Sequence, residues 1–509
     1  MRHVSLELPG PPAAVVRADM NGDGLPDLVI ALVYTEYDEL SFEKAEGFVQ
    51  MTEIVPALFD RREIRVYLAS ASGSYQPAAA PLPMPPSVHS LEAGMPGAPV
   101  VAVTDAGLSA LRLKQEGSQP AALALEPILS ETPVLAGVGT FLSGLEVMRD
   151  LDGDAVPDIL FPAVTGPAVY LSDPARPAGG SPMSRLALPG DRSGQGHTLW
   201  RRYPLPQILD VNGDRRPDLV LVSGKGGEAV ISILQGEGGG RFQTPRDTSL
   251  RCLESGKQDA GQAELAWFGD LDGDGRAEAL TVREDTSGDD GLKEAKQPRQ
   301  TLSVHPLRAD LSLDPKPSVE FEALGYPSGG QWPDLGRAEL KDLDGDGRKD
   351  LIMVTFDFSM FQVLHVLATK RFSMDLQFHV WAQTADGRFS EVTGQDLSEK
   401  LTLDFNDFKV GRYAQFNGDF DGDGKRDFVH LGRGRNVTIH LGQTGCRYNE
   451  KPDLTLPLEE EPGDVGLVQV RDLDGDGRSD LSVIRPRPPE GPGASTPVVL
   501  ELYLSRGAS

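Results

Sequence analysis

The chain has 509 residues, of which 76 are Asp or Glu and 49 are Lys or Arg, for a formal net charge of −27. That balance opposes the basic footprint a nucleic-acid binder needs to release counterions. A hydrophobic content of 39% supports a sizeable core, and two cysteines exclude a disulfide scaffold.

In chain order, MRHVSLELPG opens without the apolar segment of a secretory signal. No apolar run approaches the 18 or more residues of a membrane span; Leu28 to Tyr34 is typical of the longest. An acidic decapeptide then recurs. DMNGDGLPDL begins at Asp19, DLDGDAVPDI at Asp150, DVNGDRRPDL at Asp210 and DLDGDGRAEA at Asp270. DLDGDGRKDL, DFDGDGKRDF and DLDGDGRSDL follow at Asp342, Asp419 and Asp472. The intervals are 131, 60, 60, 72, 77 and 53 residues, so the first is about twice the typical length. It holds APVVAVTDAGLSALRL at residues 98–113, which reads as two strands around a Thr-Asp-Ala-Gly turn. Eight units averaging about 64 residues result, and internal repetition at that period means an array or a propeller.

Each unit has one internal order. An apolar residue stands two before the motif, as at Met148, Ile208, Phe268, Leu340 and Val470. An apolar run such as DLVIALV or DLIMVTF follows, and then a third segment such as EIRVYLAS, NVTIHLGQ or VVLELYLS. Their β-branched and aromatic enrichment, punctuated by Gly, predicts strands. Three such strands and a fourth before the next unit make a four-stranded antiparallel blade. The expectation is one all-β domain over 1–509, an eight-bladed β-propeller; seven blades with a long insertion fit the same spacing. The chain ends on a third strand, so the N-terminal HVSLELPG is expected to complete the last blade.

Each motif places oxygen side chains at positions 1, 3, 5 and 9. At about 4 Å and an effective dielectric near 20, one like-charged pair costs roughly 4 kcal/mol, so such a loop calls for a cation. Dense all-oxygen ligation suits Ca²⁺ rather than zinc or copper. An EF-hand needs a Glu at position 12 between helices, whereas here the second acid stands at position 9 and opens a strand.

The repeated D-x-[DN]-G-D-G-x-x-D before an apolar strand resembles the FG-GAP/VCBS repeats of the propeller head of integrin α subunits. The resemblance implies that positions 1, 3, 5 and 9 ligate Ca²⁺ by side chain and position 7 by its carbonyl. Carried over, the first site is Asp19, Asn21, Asp23, Leu25 and Asp27, and the second Asp150, Asp152, Asp154, Val156 and Asp158. The third is Asp210, Asn212, Asp214, Arg216 and Asp218, and the fourth Asp270, Asp272, Asp274, Arg276 and Glu278. Asp342, Asp344, Asp346, Arg348 and Asp350 form the fifth. Asp419, Asp421, Asp423, Lys425 and Asp427 form the sixth, and Asp472, Asp474, Asp476, Arg478 and Asp480 the seventh. Ala155 and Arg215 replace the position-6 Gly, which strains the turn, and Arg215 adds a cation, so the Asp210 loop is expected to bind most weakly. The seven loops hold 26 carboxylates, and seven bound Ca²⁺ would bring the net charge from −27 to about −13.

Insertions fall between the second and third strands, at about 35–62, 286–300, 357–374 and 485–496. The resemblance places that connection opposite the calcium loops, and insertions gathered at one connection mark a binding face. Phe48, Met51, Val55, Leu58 and Phe59 have helical spacing, as do Met360, Phe361, Leu364, Leu367 and Ala368. They predict short helical inserts on that face. Trp200 and Trp332 each stand ten residues before a motif, where they suit packing between blades or a sugar face. There is no GxSxG elbow, HExxH or P-loop; His379 and His440 read as strand residues, and Cys252 and Cys446 as free thiols. The expected function is a calcium-stabilised binding module or adhesion scaffold, extracellular, on the cell surface or periplasmic, with a protein or glycan partner. A lectin, or a polysaccharide lyase or hydrolase on a calcium-containing propeller, is the competing reading. No nucleic acid or membrane insertion is expected.

Overall fold

The computed structural model describes residues 1–34, 61–94, 98–114, 122–137, 139, 141–142, 145–172, 184–186, 192–195, 198–201, 206–223, 229–250, 263–284, 298–328, 340–356, 371–404, 409–411, 414–431, 435–460, 468–487 and 497–507. Among these residues regular structure is β-strand, and among them no helix is long and apolar enough to cross a membrane.

Eight successive antiparallel sheets, each with four principal strands, give the eight-bladed β-propeller fold. Blade 1 orders Pro12–Ala18, Asp27–Tyr34, Arg61–Ala69 and Tyr75–Pro77; blade 2 orders Glu92–Ala93, Val100–Thr104, Gly107–Lys114 and Ala122–Ser130. The second strands of blades 3 to 8 are Asp158–Phe161, Asp218–Ser223, Glu278–Glu284, Leu351–Phe356, Asp427–Leu431 and Asp480–Pro486. Blade 2 is the unit without an acidic motif. Its middle strands meet at Thr104↔Gly107 across Asp105 and Ala106, the turn read from residues 98–113. In blade 8, Val498–Leu504 pairs over its full length with Arg2–Leu8, from Val498↔Leu8 to Leu504↔Arg2.

The chain divides into two compact units. One comprises Met1–Pro189, Gly238–Arg241 and Asp472–Arg506, and the other Gly190–Glu237, Phe242–Arg471 and Gly507–Ser509. Within each, alternate residues of a second strand enter different cores. In the first unit, Val100 and Ala102 pack with Val29, Ala31 and Ile64, whereas Val101 and Val103 pack with Ile159, Phe161 and Tyr170. In the second, Leu351 and Met353 pack with Leu280 and Leu302, whereas Ile352 and Val354 pack with Phe416 and Phe428. Because side chains alternate across a strand, a sheet covered on both faces must be apolar at every position. That is why these segments read as unbroken apolar runs. Burying each such Leu, Ile or Val contributes about 1.5–3 kcal/mol.

The expected insertions are shorter than the sequence suggested. Arg61–Ala69, Arg299–Pro306, Arg371–Gln383 and Asp480–Pro486 claim residues 61–62, 299–300, 371–374 and 485–486 for strands. Cross-strand pairing continues that far, as in Arg62↔Val33, Gln300↔Glu284, Met374↔Leu401 and Arg485↔Val499. Of the remainders, 35–60, 286–297, 357–370 and 488–496 lie outside the described residues, and both sets of helically spaced residues fall there. So do Trp332, Cys252 and the side chain of Trp200. His379 and His440 stand in strands, and Cys446 is a buried free thiol.

Candidate metal centres

Each acidic motif forms the loop between the first and second strands of its blade, and six of the seven position-9 residues are the first residue of a strand. The seventh, Asp350, makes a β-bridge to Lys341 immediately before Leu351–Phe356. The loops share one hydrogen-bond pattern, from which the Asp342 loop departs at position 3. In the first, Gly22 N–H donates to Asp19 Oδ1 at 2.7 Å and Gly24 N–H to Asp19 Oδ2 at 2.9 Å. Asp23 N–H donates to Asn21 Oδ1 at 3.0 Å, and Leu25 N–H to Asp23 Oδ1 at 2.8 Å. The position-1 carboxylate thus gathers the amides of positions 4 and 6, and the same two contacts recur at Asp150, Asp210, Asp270, Asp342, Asp419 and Asp472.

This wiring needs the left-handed region at two positions. Position 4, Gly in every motif, has φ between 75 and 83°, a role the sequence reading passed over. At position 6, Ala155 adopts φ 65° and Arg215 φ 62°, which confirms that both side chains occupy a strained turn.

Position 9 does more than face the loop. Asp27 is fully buried; its Oδ2 accepts from Met20 N–H and its Oδ1 from Ala69 N–H, both at 2.8 Å. One carboxylate therefore ties position 2 of the loop to the end of the third strand. Asp158, Asp218, Asp350, Asp427 and Asp480 make the equivalent pair of contacts. Glu278, one methylene longer, accepts from Leu271 N–H at 2.9 Å. Position 2 is apolar in all seven motifs and buried at Leu151, Val211, Leu271, Leu343, Phe420 and Leu473, which pins the loop to the core. That periodic apolar residue was a legible signal the sequence reading left unused.

Burial pushes the Asp158 and Asp350 carboxyls up to about 6, those of Asp427 and Asp480 to about 7 and that of Glu278 to about 8. Asp27 and Asp218 are raised for the same reason, against the pull of their amide hydrogen bonds. Oxygens of positions 1, 3 and 9 come within 4.8 Å of one another in the Asp150, Asp270 and Asp419 loops; in the Asp342 loop those of positions 1, 3 and 5 do. Such hard-oxygen sets fit Ca²⁺, with the position-7 carbonyls of Leu25, Val156, Arg216, Arg276, Arg348, Lys425 and Arg478 as further donors under the family pattern.

Local cations were less legible. Arg348, Lys425 and Arg478 at position 7 pair with the position-5 carboxylates Asp346, Asp423 and Asp476. Arg17 reaches Asp472 Oδ2 at 2.8 Å across 455 residues of sequence. An incoming ion competes with these partners.

The position-9 shifts fix a pH dependence. In the metal-free protein, folded pKa values above the unfolded ones mean that the native state binds more protons between about pH 4 and 8. The burial penalty is therefore absent below about pH 4, grows as pH rises above that and is complete once pH passes the folded values of about 6 to 8, where a bound cation would offset it. The gain in melting temperature on adding Ca²⁺ to protein stripped of metal is expected to be larger at pH 8 than at pH 5.5. An equal gain at both would contradict the assignment of position 9.

The fold and these loops define a repeat β-propeller with seven carboxylate-lined turns. Residues 210–281, from the first residue of one such loop into the strand after the next, match the FG-GAP-like repeat family. No curated protein matches the chain. Among solved structures, a chain of the Photorhabdus luminescens Tc holotoxin pore is similar at 13% identity, over 93% of this chain and 18% of that one, with a TM-score of 0.28. This chain therefore spans less than a fifth of the length of that one.

Proposed function

We propose that the protein is a calcium-stabilised β-propeller binding module, acting outside the cell or in the envelope as a recognition or adhesion scaffold. Its partner is a protein or glycan engaged by the connections between second and third strands. The observation that carries the calcium reading is the seven-fold recurrence of one loop wiring. Position-1 carboxylates accept two amides each, and crowded oxygens of positions 1, 3 and 9, or 1, 3 and 5 in the Asp342 loop, keep lone pairs for a hard cation. The placement of insertions at one connection supports a single recognition face.

Calcium titration of the metal-free protein, read by calorimetry and by native mass, tests the reading. Up to seven Ca²⁺ are expected, with the Asp210 loop filling last. Arg215→Gly removes both the strained side chain and the cation, and is expected to merge that weakest step with the others. Binding of no Ca²⁺ at millimolar concentration would overturn the proposal. Glycan-array binding with and without Ca²⁺ then separates a lectin from a protein scaffold.

A further inference from the structure

The Asp342 loop breaks the common wiring at position 3. In six loops the position-3 oxygen Oδ1 accepts the position-5 amide, at 2.9–3.4 Å. Here Asp346 N–H turns instead to Asp342 Oδ1 at 3.1 Å. Asp344 Oδ2 accepts Gly445 N–H at 2.7 Å, from a turn of the next blade about a hundred residues further on. Asp344 is only 9% exposed, and its Oδ1 is buried with no hydrogen-bond partner. A buried carboxylate oxygen left without a donor costs about 1–3 kcal/mol or more, so this oxygen is placed to gain from a cation.

What stands beside it is a thiol. Cys446, 1% exposed, follows Gly445 in the turn closed by the Gln443↔Arg447 bridge. It sits at φ 55°, a left-handed conformation unusual for a side-chain-bearing residue. Ligand atoms of Asp344, Asp350 and Cys446 all lie within 4.8 Å of one another, and all three residues are buried. Bond lengths of about 2.3 Å to sulfur and 2.0–2.2 Å to carboxylate put tetrahedral ligand atoms about 3.3–3.8 Å apart, within reach of that cluster.

We propose that Asp344, Asp350 and Cys446 form a site for a thiophilic divalent cation of the zinc type. A soft thiolate selects such an ion over Ca²⁺, which prefers oxygen alone. On binding, the ion forms a bond to Sγ, and the thiol proton leaves to solvent. The orphaned Asp344 Oδ1 and a remaining lone pair on an Asp350 oxygen that already accepts one backbone amide complete a mixed set with the sulfur, one that no other loop shows among the described residues. Asp344 and Asp350 are also positions 3 and 9 of the fifth calcium loop, and on the calcium reading proposed above the two ions compete there.

Cobalt(II) is the probe, because only a thiolate ligand adds a sulfur-to-metal charge-transfer band in the near ultraviolet. Full-length, metal-free protein is titrated with Co²⁺ alongside Cys252→Ser and Cys446→Ser. One equivalent is expected to produce the band in wild type and Cys252→Ser, and one equivalent of Zn²⁺ to bleach it. Cys446→Ser is expected to lose the band and at least about tenfold in Co²⁺ affinity at this step. Absence of the band from wild type, or its survival in Cys446→Ser, overturns the site. Should Cys446→Ser fail to fold, Cys252→Ser decides, since Cys446 is then the chain's single thiol. These outcomes are independent of whether the oxygen loops take up Ca²⁺, which calorimetry reports separately.

Discussion

Removing calcium is expected to lower the melting temperature by about 10 °C. An extracellular calcium module binds at about 10⁻⁴–10⁻³ M, and calcium at ten times such a constant stabilises by about 1.4 kcal/mol per site through mass action. Seven independent sites give roughly 10 kcal/mol, comparable with the whole stability of an ordinary domain. An unfolding entropy near 2.1 cal/mol/K per residue, over 509 residues, converts that into a shift of about 10 °C. The physical source is the crowding of carboxylates around buried position-9 acids, whose elevated pKa values mark the cost of holding them charged without a counterion. Differential scanning calorimetry in excess Ca²⁺ and in excess EGTA measures the difference. Coincident transitions would remove calcium from the account of stability.

The sequence disclosed the blades because two local signals agree: an apolar run buried on both faces, and a Gly-rich acidic turn before it. Blade 2 shows that the first suffices, since its first and second strands, Glu92–Ala93 and Val100–Thr104, pair without an acidic motif between them. In the turn between its second and third strands, Asp105 accepts from buried His89 at 2.7 Å and from Gly137 N–H at 2.9 Å, so protein donors occupy that carboxylate. Legibility ended where partners are distant in sequence. Asp27 meets Ala69 N–H across 42 residues, and Arg17 meets Asp472 across 455. Cys446 read only as a free thiol because its neighbours, Asp344 and Asp350, belong to a different blade. Spacing within a motif reports which side chains share a turn. It does not report which strand end closes over that turn, and that closure decides which acids are left to a cation alone and which also hold the fold.

Asp480→Ala tests that division and is expected to destabilise the protein by roughly 2–6 kcal/mol even without calcium. Asp480 is fully buried, its Oδ2 accepting from Leu473 N–H and its Oδ1 from Ser505 N–H, each at 2.7 Å. Alanine would strand both buried amides, at about 1–3 kcal/mol apiece. Asp480→Asn should cost less, since its amide oxygen still accepts one of the two bonds while its NH₂ group cannot accept the other. Asp474, at position 3 of the same loop, accepts one long contact from Asp476 N–H at 3.4 Å and is only partly buried. Asp474→Ala should therefore leave the metal-free protein nearly unchanged and weaken only the calcium-dependent increment. Urea denaturation of the three variants, with and without calcium, separates the roles. If Asp480→Ala matched wild type in EGTA, the carboxylate would be a ligand and nothing more; the two short amide contacts predict the opposite, that position 9 fastens the third strand to the loop before any ion arrives.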